Sequence, residues 1–373
     1  MDRPKVSLVK CSSYYAEDVE AAVKHSVDLL GGIGRFVSPG EKVLLKPNLL
    51  TDAAPEKGIT THPEVVRAVI RLIKPVTSRI YCGDSPSVWG GEKKNIDRVY
   101  EISGIKKICR QEGVDLVYFT KARMVAGHPL AEFAFSCDRL VNIPKFKTHG
   151  LTILTAALKN LFGLVVGMHK MKIHSDNPRP VDLSKVIVDI YGARKPDLNI
   201  LDGVFAMEGQ GPGSSGTLKK ANLIAASADG VCLDMVLAAL MNIDVFDIPT
   251  NSEAIRRGLG HASFSSIDIV GEQVKDLILP DFKLPKTSVI AKMPRWAVNV
   301  LSSLMTMKVC ADASKCKLCG LCQKGCPADA IRLIEGRPVF DRAKCILCLC
   351  CQEVCPSAAI DIKKGLLLKI LSR

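Results

Sequence analysis

The sequence predicts a layered α/β fold, in which a mostly parallel sheet is flanked by helices, followed by a small α+β module. The first 280 residues alternate short β-rich runs with helical patterns, and this alternation is typical of a parallel sheet covered by helices. Ten of the fifteen cysteines lie between Cys310 and Cys355, which marks off the module. We therefore expect a body over residues 1–280, a linker with a short helix over 281–309, and a cysteine-rich module over 310–373.

Eight segments of the body have the composition of strands, being short, apolar and bounded by turn residues. They are residues 5–11, 42–48, 79–85, 115–119, 138–146, 198–203, 221–227 and 267–272. Helical spacing of apolar residues covers about 17–30, 61–75, 94–112, 152–165, 181–194, 230–242 and 252–259. The clearest helix is predicted to open at Thr61, because Thr61 and Glu64 match a capping box, and to stop at Pro75.

Polar or glycine-rich segments follow several predicted strands. Ligands of open α/β sheets bind beyond the carboxyl ends of the strands. We therefore expect these segments to share one rim and to form a ligand pocket there. The segments are residues 46–48, 83–86, 144–149 and 202–216.

The module contains an internal duplication. The text from Cys316 is CKLCGLCQKGCP, and the text from Cys345 is CILCLCCQEVCP. Both copies fit C-x2-C-x2-C-x3-C-P, the pattern that binds [4Fe–4S] clusters in bacterial ferredoxins. Eight cysteines in two matched copies exclude a zinc ribbon or a disulfide framework, so the module is predicted to be an α+β, ferredoxin-like domain with two [4Fe–4S] clusters.

Three closely spaced cysteines can hold three irons of a cubane but cannot reach the fourth. The remote cysteine before proline is therefore predicted to complete the cluster of the other copy, as in the two-cluster ferredoxins that this segment resembles. Two cysteines outside the pattern, Cys310 and Cys350, are interpreted as bystander thiols. The predicted ligands are Cys316, Cys319, Cys322 and Cys355 for the first cluster, and Cys345, Cys348, Cys351 and Cys326 for the second.

The body resembles a known family in the order of five segments. These are VLLKPNLL (43–50), THPEVVRAVIRLIKP (61–75), GDSP (83–86), NIPKFKTHGLTILTAALKNLFGLVVG (142–167) and DGVFAMEGQGP (202–212). Their combination resembles the domain-of-unknown-function family 362 (DUF362), whose members often carry a C-terminal two-cluster module. The resemblance implies this architecture and a redox role, but it implies no particular reaction.

Basic residues after the fifth predicted strand are the candidate catalytic groups. Lys145, Lys147 and His149 can form an anion pocket in which the lysines bind phosphate or carboxylate and the histidine moves a proton. Two alternatives stay open at this point. His149, His169 and His174 can ligate a metal, although no carboxylate or cysteine has matching spacing, or the segment can form a solvated basic face.

Further rim residues are candidates for binding a cofactor or substrate, namely Lys46, Asn48, Lys159, Asn160, Gly209 and Gly211. The glycine-rich stretch 208–216 fits a phosphate-binding loop or a lid. It does not match a P-loop, and no G-x-G-x-x-G follows the first strand, so nucleotide hydrolysis and tightly bound NAD are not expected.

The charge of the chain bears on its partners. The formal net charge is +13, but the basic residues are spread along the chain without a nucleic-acid motif, so nucleic-acid binding is not expected. Lysines around the cysteine loops, including Lys315, Lys317 and Lys344, favour an acidic electron carrier such as a ferredoxin or flavodoxin. No signal peptide or integral membrane segment is recognisable, which predicts a cytoplasmic protein.

These observations favour an iron–sulfur oxidoreductase that delivers electrons to an anionic small molecule, substrate or cofactor, in the body. Whether the body is catalytic stays uncertain on sequence alone. One alternative is a non-catalytic electron-transfer or adaptor protein that docks a larger redox complex. Another is a factor for metal-cofactor assembly.

Overall fold

The computed structural model describes residues 3–86, 93–261, 263–288 and 307–365. Most of the predicted linker, residues 289–306, lies outside these ranges, and so does its expected helix. The predicted fold class is confirmed for the described residues, since a large, mostly parallel sheet with helices is followed by a small domain of strand pairs.

The body is built on a ten-stranded sheet. Its main path runs β12-β1-β11-β10-β7-β2-β3-β4, and β8 and β9 extend it beside β10. The pairs on the β10-β7-β2-β3-β4 side are parallel, whereas β11 runs antiparallel to both β1 and β10. The sheet strands are β1 (Lys5–Lys10), β2 (Val43–Pro47), β3 (Ile80–Asp84), β4 (Asp115–Tyr118), β7 (Arg139–Ile143), β8 (Lys145–His149), β9 (Ile153–Thr155), β10 (Leu198–Gly209), β11 (Gly216–Ser227) and β12 (Asp268–Gly271). A separate hairpin joins β5 (Ala122–Val125) and β6 (His128–Ala131).

Helices cover both faces of the sheet and close two hydrophobic cores. One core includes Val19 and Val66 and the other includes Leu183 and Val236, all fully buried. The burial of apolar surface in these two cores is the main contribution to the folding free energy of the body. The body helices are α1 (Ala16–Asp28), α2 (Pro63–Ile73), α3 (Lys93–Ile102), α4 (Ile105–Gln111), α5 (Glu132–Phe135), α6 (Ala157–Asn160), α7 (His169–Asp176), α8 (Pro180–Ala193), α9 (Gly230–Leu240), α10 (Pro249–Arg256) and α11 (Val274–Leu277).

The start of α2 differs from the predicted capping box. His62 is the N-cap, and its Nδ1 accepts a hydrogen bond from the Glu64 amide at 3.2 Å. Thr61 instead donates its hydroxyl to the Ile143 carbonyl at 2.6 Å and accepts from the Asn48 amide at 2.8 Å. The Thr61 hydroxyl therefore ties two strand ends together, which removes it from the helix.

The segment after β7 differs most from prediction. The strand predicted over 138–146 is two strands, because Pro144 lacks the N–H that would continue the ladder of β7. β8 pairs with β10 on one side and β9 on the other, so Lys145, Lys147 and His149 lie within a strand and do not follow one. The helix predicted over 152–165 is reduced to α6 and a 3-10 turn over Leu161–Leu164.

The module consists of two strand pairs and two short helices. β13 (Met307–Ala311) pairs with β16 (Ile360–Lys364), and β14 (Ile331–Ile334) pairs with β15 (Arg337–Phe340). α12 (Leu321–Lys324) and α13 (Cys350–Glu353) follow the two cysteine loops. The start of the linker contacts both parts, since Lys286 Nζ lies 2.7 Å from Asp361 Oδ1 of the module and Thr287 donates its hydroxyl to the Gly150 carbonyl of the body. The module also contacts the body directly, because Glu353 Oε1 lies 3.2 Å from His149 Nε2.

Candidate functional site

The two cysteine loops have the same backbone conformation. Leu318 and Gly320 in the first loop and Leu347 and Leu349 in the second all have positive φ, between 56° and 71°. The two pairs are offset by the 29 residues that separate the sequence copies. The repeated conformation turns successive cysteines toward one centre, which is the requirement for wrapping a cubane.

Each remote cysteine lies near cysteines of the other copy. Burial raises the pKa of Cys322, and the neighbouring thiols of Cys319, Cys355 and Cys316 raise it further. Burial likewise raises the pKa of Cys345, with added contributions from Cys348 and Cys326. Cys355 thus lies near Cys322 of the first copy, and Cys326 lies near Cys345 of the second.

The thiols fit an iron–sulfur cluster in their surroundings as well as in their number. A small cavity is lined by Cys326, Cys345, Cys348 and Cys351 together with apolar groups such as Ile331. Backbone amides donate to two of the remote sulfurs, from Ala330 to Cys326 and from Ala359 to Cys355, both at 3.2 Å. Amide donors and an apolar shell are the means by which proteins stabilise reduced clusters.

A second cavity lies between the sheet and the module. It is formed by the loops after β2 and β3, by β8, by the segment from α6 to α7, and by α13 of the module. Its volume is about 40 Å³, which is room for about three water molecules or one compact oxyanion. We call it the basic cavity; its lining is Asn48, Leu49, Leu50, Asp84, Ser85, Lys147, His149, Thr155, Lys159, Asn160, Phe162, Gly163, Lys170, His174, Pro212 and Glu353.

Among the residues that the structure describes, no carboxylate lies within ion-pair distance of three lysines of the basic cavity. Lys147 Nζ donates to the Ile59 carbonyl at 2.6 Å, and Lys170 Nζ donates to the Ser85 carbonyl. Lys159 Nζ lies 4.4 Å from the centroid of the Phe162 ring. Burial lowers the pKa of all three, to about 7 for Lys147 and Lys170. An anion in the cavity would therefore accept charge-assisted hydrogen bonds from these three ammonium groups.

A fourth lysine, Lys46, forms a buried ion pair just outside the lining of the cavity. Lys46 Nζ lies 2.7 Å from Asp84 Oδ1 and also reaches Asn160 Oδ1 at 3.4 Å. Asn48 donates to the same Asn160 oxygen at 2.9 Å. These contacts fix the loop after β2 against α6, and α6 carries Lys159.

Two buried histidines face the cavity. His149 Nδ1 accepts hydrogen bonds from the Leu151 and Thr152 amides at 3.1 and 3.3 Å. The ring proton of neutral His149 therefore lies on Nε2, 3.2 Å from Glu353 Oε1. Burial lowers the pKa of both histidines, that of His174 to about 3, so both are neutral near pH 7.

Unpartnered polar atoms concentrate at this cavity. Within the described residues, six buried side-chain nitrogen or oxygen atoms make no hydrogen bond, and four of them belong to lining residues. These four are Asn48 Oδ1, Thr155 Oγ1, His174 Nδ1 and His149 Nε2; the last lies 3.2 Å from Glu353 Oε1 without satisfying hydrogen-bond geometry. Because an unpaired buried polar atom is costly, their convergence indicates a site that a polar ligand completes.

The structure brings together most, but not all, of the residues that the sequence predicted for this site. Lys147, His149, Asn48, Lys159 and Asn160 line the cavity. Lys46 lies just behind it, as described above.

Three predicted residues do not line the cavity. Lys145 forms an ion pair inside the body. Its Nζ lies 2.9 Å from Asp202 Oδ1 and donates to the Tyr14 hydroxyl at 2.7 Å. The Gly209 amide donates to the Lys283 carbonyl at 2.6 Å. The Gly211 amide donates to Thr148 Oγ1 at 3.3 Å and positions Pro212, which does line the cavity.

The other two sequence interpretations of this segment do not describe it. Lys147 and His149 are buried and Lys159 is half-buried, so they do not form a solvated face. His169 is exposed whereas His149 and His174 are buried, so the three histidines do not share one centre.

Sequence reasoning missed Glu353 altogether. It lies between cluster cysteines of the module, and nothing in CQEVC indicates that it reaches the body. Burial opposes its ionisation, but His149, His174 and Lys159 hold the pKa of Glu353 at about 2. Its carboxylate is the one contribution of the module to the lining of the cavity.

Comparisons with known proteins agree with this description. Residues 43–239 match the family model of the domain of unknown function DUF362, and residues 308–357 match a 4Fe-4S dicluster domain. A thylakoid-associated protein of Synechocystis sp. is 33% identical over 288 residues, which cover 75% of this chain and 88% of that protein. A crystal structure of a protein from Thermotoga maritima is similar with a TM-score of 0.36 and 14% identity, over 60% of this chain and 57% of that one.

The described helices include none that is both long and apolar enough to cross a membrane. The dicluster match identifies an iron–sulfur, electron-transfer protein. With more than half of its length matched by the family model, the chain belongs to the DUF362 family.

Proposed function

We propose that this protein is an oxidoreductase in which two [4Fe–4S] clusters in the module deliver electrons to an anionic substrate or cofactor in the basic cavity. The observation that carries the proposal is the shared wall: Glu353, located between cluster cysteines, lines the same cavity as Lys147, Lys159 and Lys170. A ligand in that cavity is therefore in contact with a residue of the second cysteine loop.

The contact between body and module supports close approach at this point. Leu349, in the second loop, packs so tightly on Gly150 that a side chain at position 150 would overlap it. Short separation matters because electron tunnelling is steeply limited by distance. The ligand set proposed for the second cluster is Cys345, Cys348, Cys351 and Cys326, and the set for the first is Cys316, Cys319, Cys322 and Cys355.

The two loops differ in exposure, and this supports a direction of electron flow. Cys319 is exposed, whereas its counterpart Cys348 is buried. Around the first loop, Leu318 is 52% exposed and lies among the exposed Lys315 and Lys317. An apolar centre with a basic rim suits an acidic carrier protein, a ferredoxin or flavodoxin, which would deliver electrons to the first cluster.

The side chains of the body have separate roles in this proposal. When bound, the clusters supply single electrons at low potential. Lys147, Lys159 and Lys170 bind the anion and offset the negative charge that reduction adds. His149 holds a proton on Nε2 at the cavity and is the candidate donor to a reduced substrate.

We place the protein in the cytoplasm, because eight of the fifteen cysteines have the spacing of iron–sulfur ligands and none forms a disulfide in the described structure, as expected in a reducing compartment. The name of the Synechocystis relative describes association with thylakoids, so peripheral contact with a membrane is compatible with this placement. The division of the chain into body, linker and module at residues 280 and 310 is part of the same proposal.

The cavity also bears on the choice between an enzyme and an adaptor. An adaptor without chemistry would need only a flat docking surface, whereas buried lysines around a cavity favour an enzyme.

The test is anaerobic purification followed by mass spectrometry of the small molecules released on denaturation. We expect an anionic compound from the wild-type chain and none from Lys147→Met, although both retain their iron. The released compound is then offered to dithionite-reduced protein. Reoxidation of the clusters by that compound supports the enzyme, and its absence favours the adaptor.

A further inference from the structure

The charges around the basic cavity do not balance. Four ammonium groups, those of Lys46, Lys147, Lys159 and Lys170, face two carboxylates, those of Asp84 and Glu353. The two lining histidines are neutral, for the reasons given above. When all four lysines are protonated, the cavity has an excess of two positive charges in a region from which water is largely excluded.

The size of the cavity restricts the ligand further. A volume of about 40 Å³ is room for about three water molecules, so the cavity admits one compact group and no extended ligand. The neighbouring walls formed by Leu49, Leu50, Phe162 and Pro212 are apolar, so they offer no partners for additional charges. Both negative charges must therefore lie on one compact group.

We propose that the basic cavity binds a compact dianion whose oxygens are held by Lys147, Lys159 and Lys170, either a tetrahedral oxyanion or a short dicarboxylate. As the identity of a substrate, this inference rests on the proposed function. As a binding site it does not, because binding can be measured on oxidised protein without electron transfer.

A second consequence concerns protons. Burial lowers the pKa of Lys147 and of Lys170 to about 7. At pH 8.5 most molecules with an empty cavity therefore have these side chains in the neutral form. A dianion favours the charged form and raises these pKa values again. Binding should therefore take up protons at pH 8.5 and almost none at pH 6. The groups that face these two lysines are Lys46, Asp84, Lys145, Lys159 and Glu353.

The experiment uses full-length, cluster-loaded, oxidised protein under anaerobic conditions. Sodium sulfate and sodium malonate are titrated calorimetrically, each in two buffers with different ionisation enthalpies, against sodium chloride at equal ionic strength. We expect one site, tighter for at least one dianion than for chloride, with proton uptake at pH 8.5 only. Sulfate binding alone identifies an oxyanion site, and malonate binding alone identifies a dicarboxylate site.

Variants assign the effect to the cavity. Lys147→Met and Lys170→Met should each weaken dianion binding by at least about tenfold, since each loses a charged hydrogen bond. Methionine is apolar and similar in length, so both variants should fold, which the cluster absorption and circular dichroism check. The matched control is Lys172→Met on the same helix as Lys170, because the Lys172 side chain is 73% exposed.

Two results would overturn the inference. One is an affinity for sulfate and for malonate no greater than that for chloride; the other is an equal loss of affinity in the Lys172 and Lys170 variants. Dianion binding without any electron transfer to a dianionic compound would refute the enzyme and leave this site standing. Electron transfer to a compound without dianion binding would do the reverse.

Discussion

His149 Nε2 lies 3.2 Å from Oε1 of Glu353, and this contact joins a strand of the body to the second cysteine loop of the module. His149 is held from behind by two amides, and Glu353 follows two cysteines. The pair is therefore fixed from both sides. At this contact the basic cavity of the body adjoins the second cysteine loop of the module.

Removing the charge of Glu353 should strengthen anion binding. In Glu353→Gln the cavity loses a carboxylate that repels a dianion, and we expect sulfate affinity to rise by at least about tenfold. Calorimetry measures the change, and iron content should stay as in wild type. Glu335→Gln, at the exposed turn of the β14–β15 hairpin, is the matched control. Weaker binding in Glu353→Gln would mean that Glu353 organises the cavity and does not compete with the ligand.

The swapped ligands predict which cysteine damages which cluster. Wild-type protein should contain about eight irons and eight labile sulfides per chain. Cys326→Ala should remove the cluster of Cys345, Cys348 and Cys351 and lower iron to about four. Iron and sulfide analysis with electron paramagnetic resonance of the reduced protein follows the loss. Cys350→Ala is the control and should keep all its iron; spectral loss at the first cluster in Cys326→Ala would contradict the assignment.

Gly163 is predicted to be indispensable for the wall of the cavity. A Cβ at this position would overlap Asp84 Oδ1 and Lys46 Nζ, so Gly163→Ala must separate the buried ion pair. We expect a loss of about 1 to 3 kcal/mol in the free energy of unfolding, as for overpacking, seen as a lower Tm. Gly192→Ala in α8 is the control, because its Cβ would lie 3.7 Å from Leu259, an ordinary contact. An unchanged Tm for Gly163→Ala would show that the wall is loose.

Lys170 should make ligand-free protein less stable at neutral than at alkaline pH. Its pKa in the folded chain is about 7, against a usual 10.5, so the unfolded chain binds more protons between these values. Stability therefore rises as pH increases from about 7 toward 10. Lys170→Met should raise stability by about 1 to 4 kcal/mol at pH 7 and by little at pH 10. Tm values of both proteins across this range decide it; an equal gain at both ends of the range would contradict the shift.

The basic surface around the first loop predicts the electron donor. Reduction by an acidic ferredoxin, measured by stopped flow, should slow as salt rises from about 20 to about 500 mM, because screening removes long-range attraction. Reversal of Lys315, Lys317 and Lys344 to Glu should lower the low-salt rate by at least about tenfold. Reversal of Lys24, Lys172 and Lys185, exposed lysines of the body, is the control. A rate independent of salt would rule out this surface as the receiving site.

Periodicity and spacing predicted the layered body because they report local preferences. α1, α8 and α9 lie within two residues of their predicted bounds. The segment from Pro144 to Leu164 was predicted poorly, since β8 depends on β10, a partner far away in the chain, and β9 is a three-residue strand that pairs with β8. The β5–β6 hairpin was missed for a related reason: its four-residue strands are too short to show alternation.

Site residues could be predicted where their chemical type and position in the sequence identify them. They could not be predicted where only a tertiary contact decides whether they line the cavity. Asn48 and Lys147 stand out in polar segments that the sequence predicted to follow strands, and Lys159 stands out as a lysine beside Asn160 in an otherwise apolar stretch. Lys145 looks the same in sequence, and only the position of Asp202 removes it from the cavity. Glu353 could not be foreseen, because docking of the module brings it to the body.

The two halves of the duplicated module are unequal at one backbone position. Gly320 in the first loop corresponds to Leu349 in the second, and both have positive φ, which glycine adopts freely and leucine adopts at a cost. The strained residue is the one whose side chain packs on Gly150. A repeat with glycine at both positions would have two interchangeable faces. The single leucine breaks that symmetry, and the loop that carries it is the one that packs against Gly150 of the body.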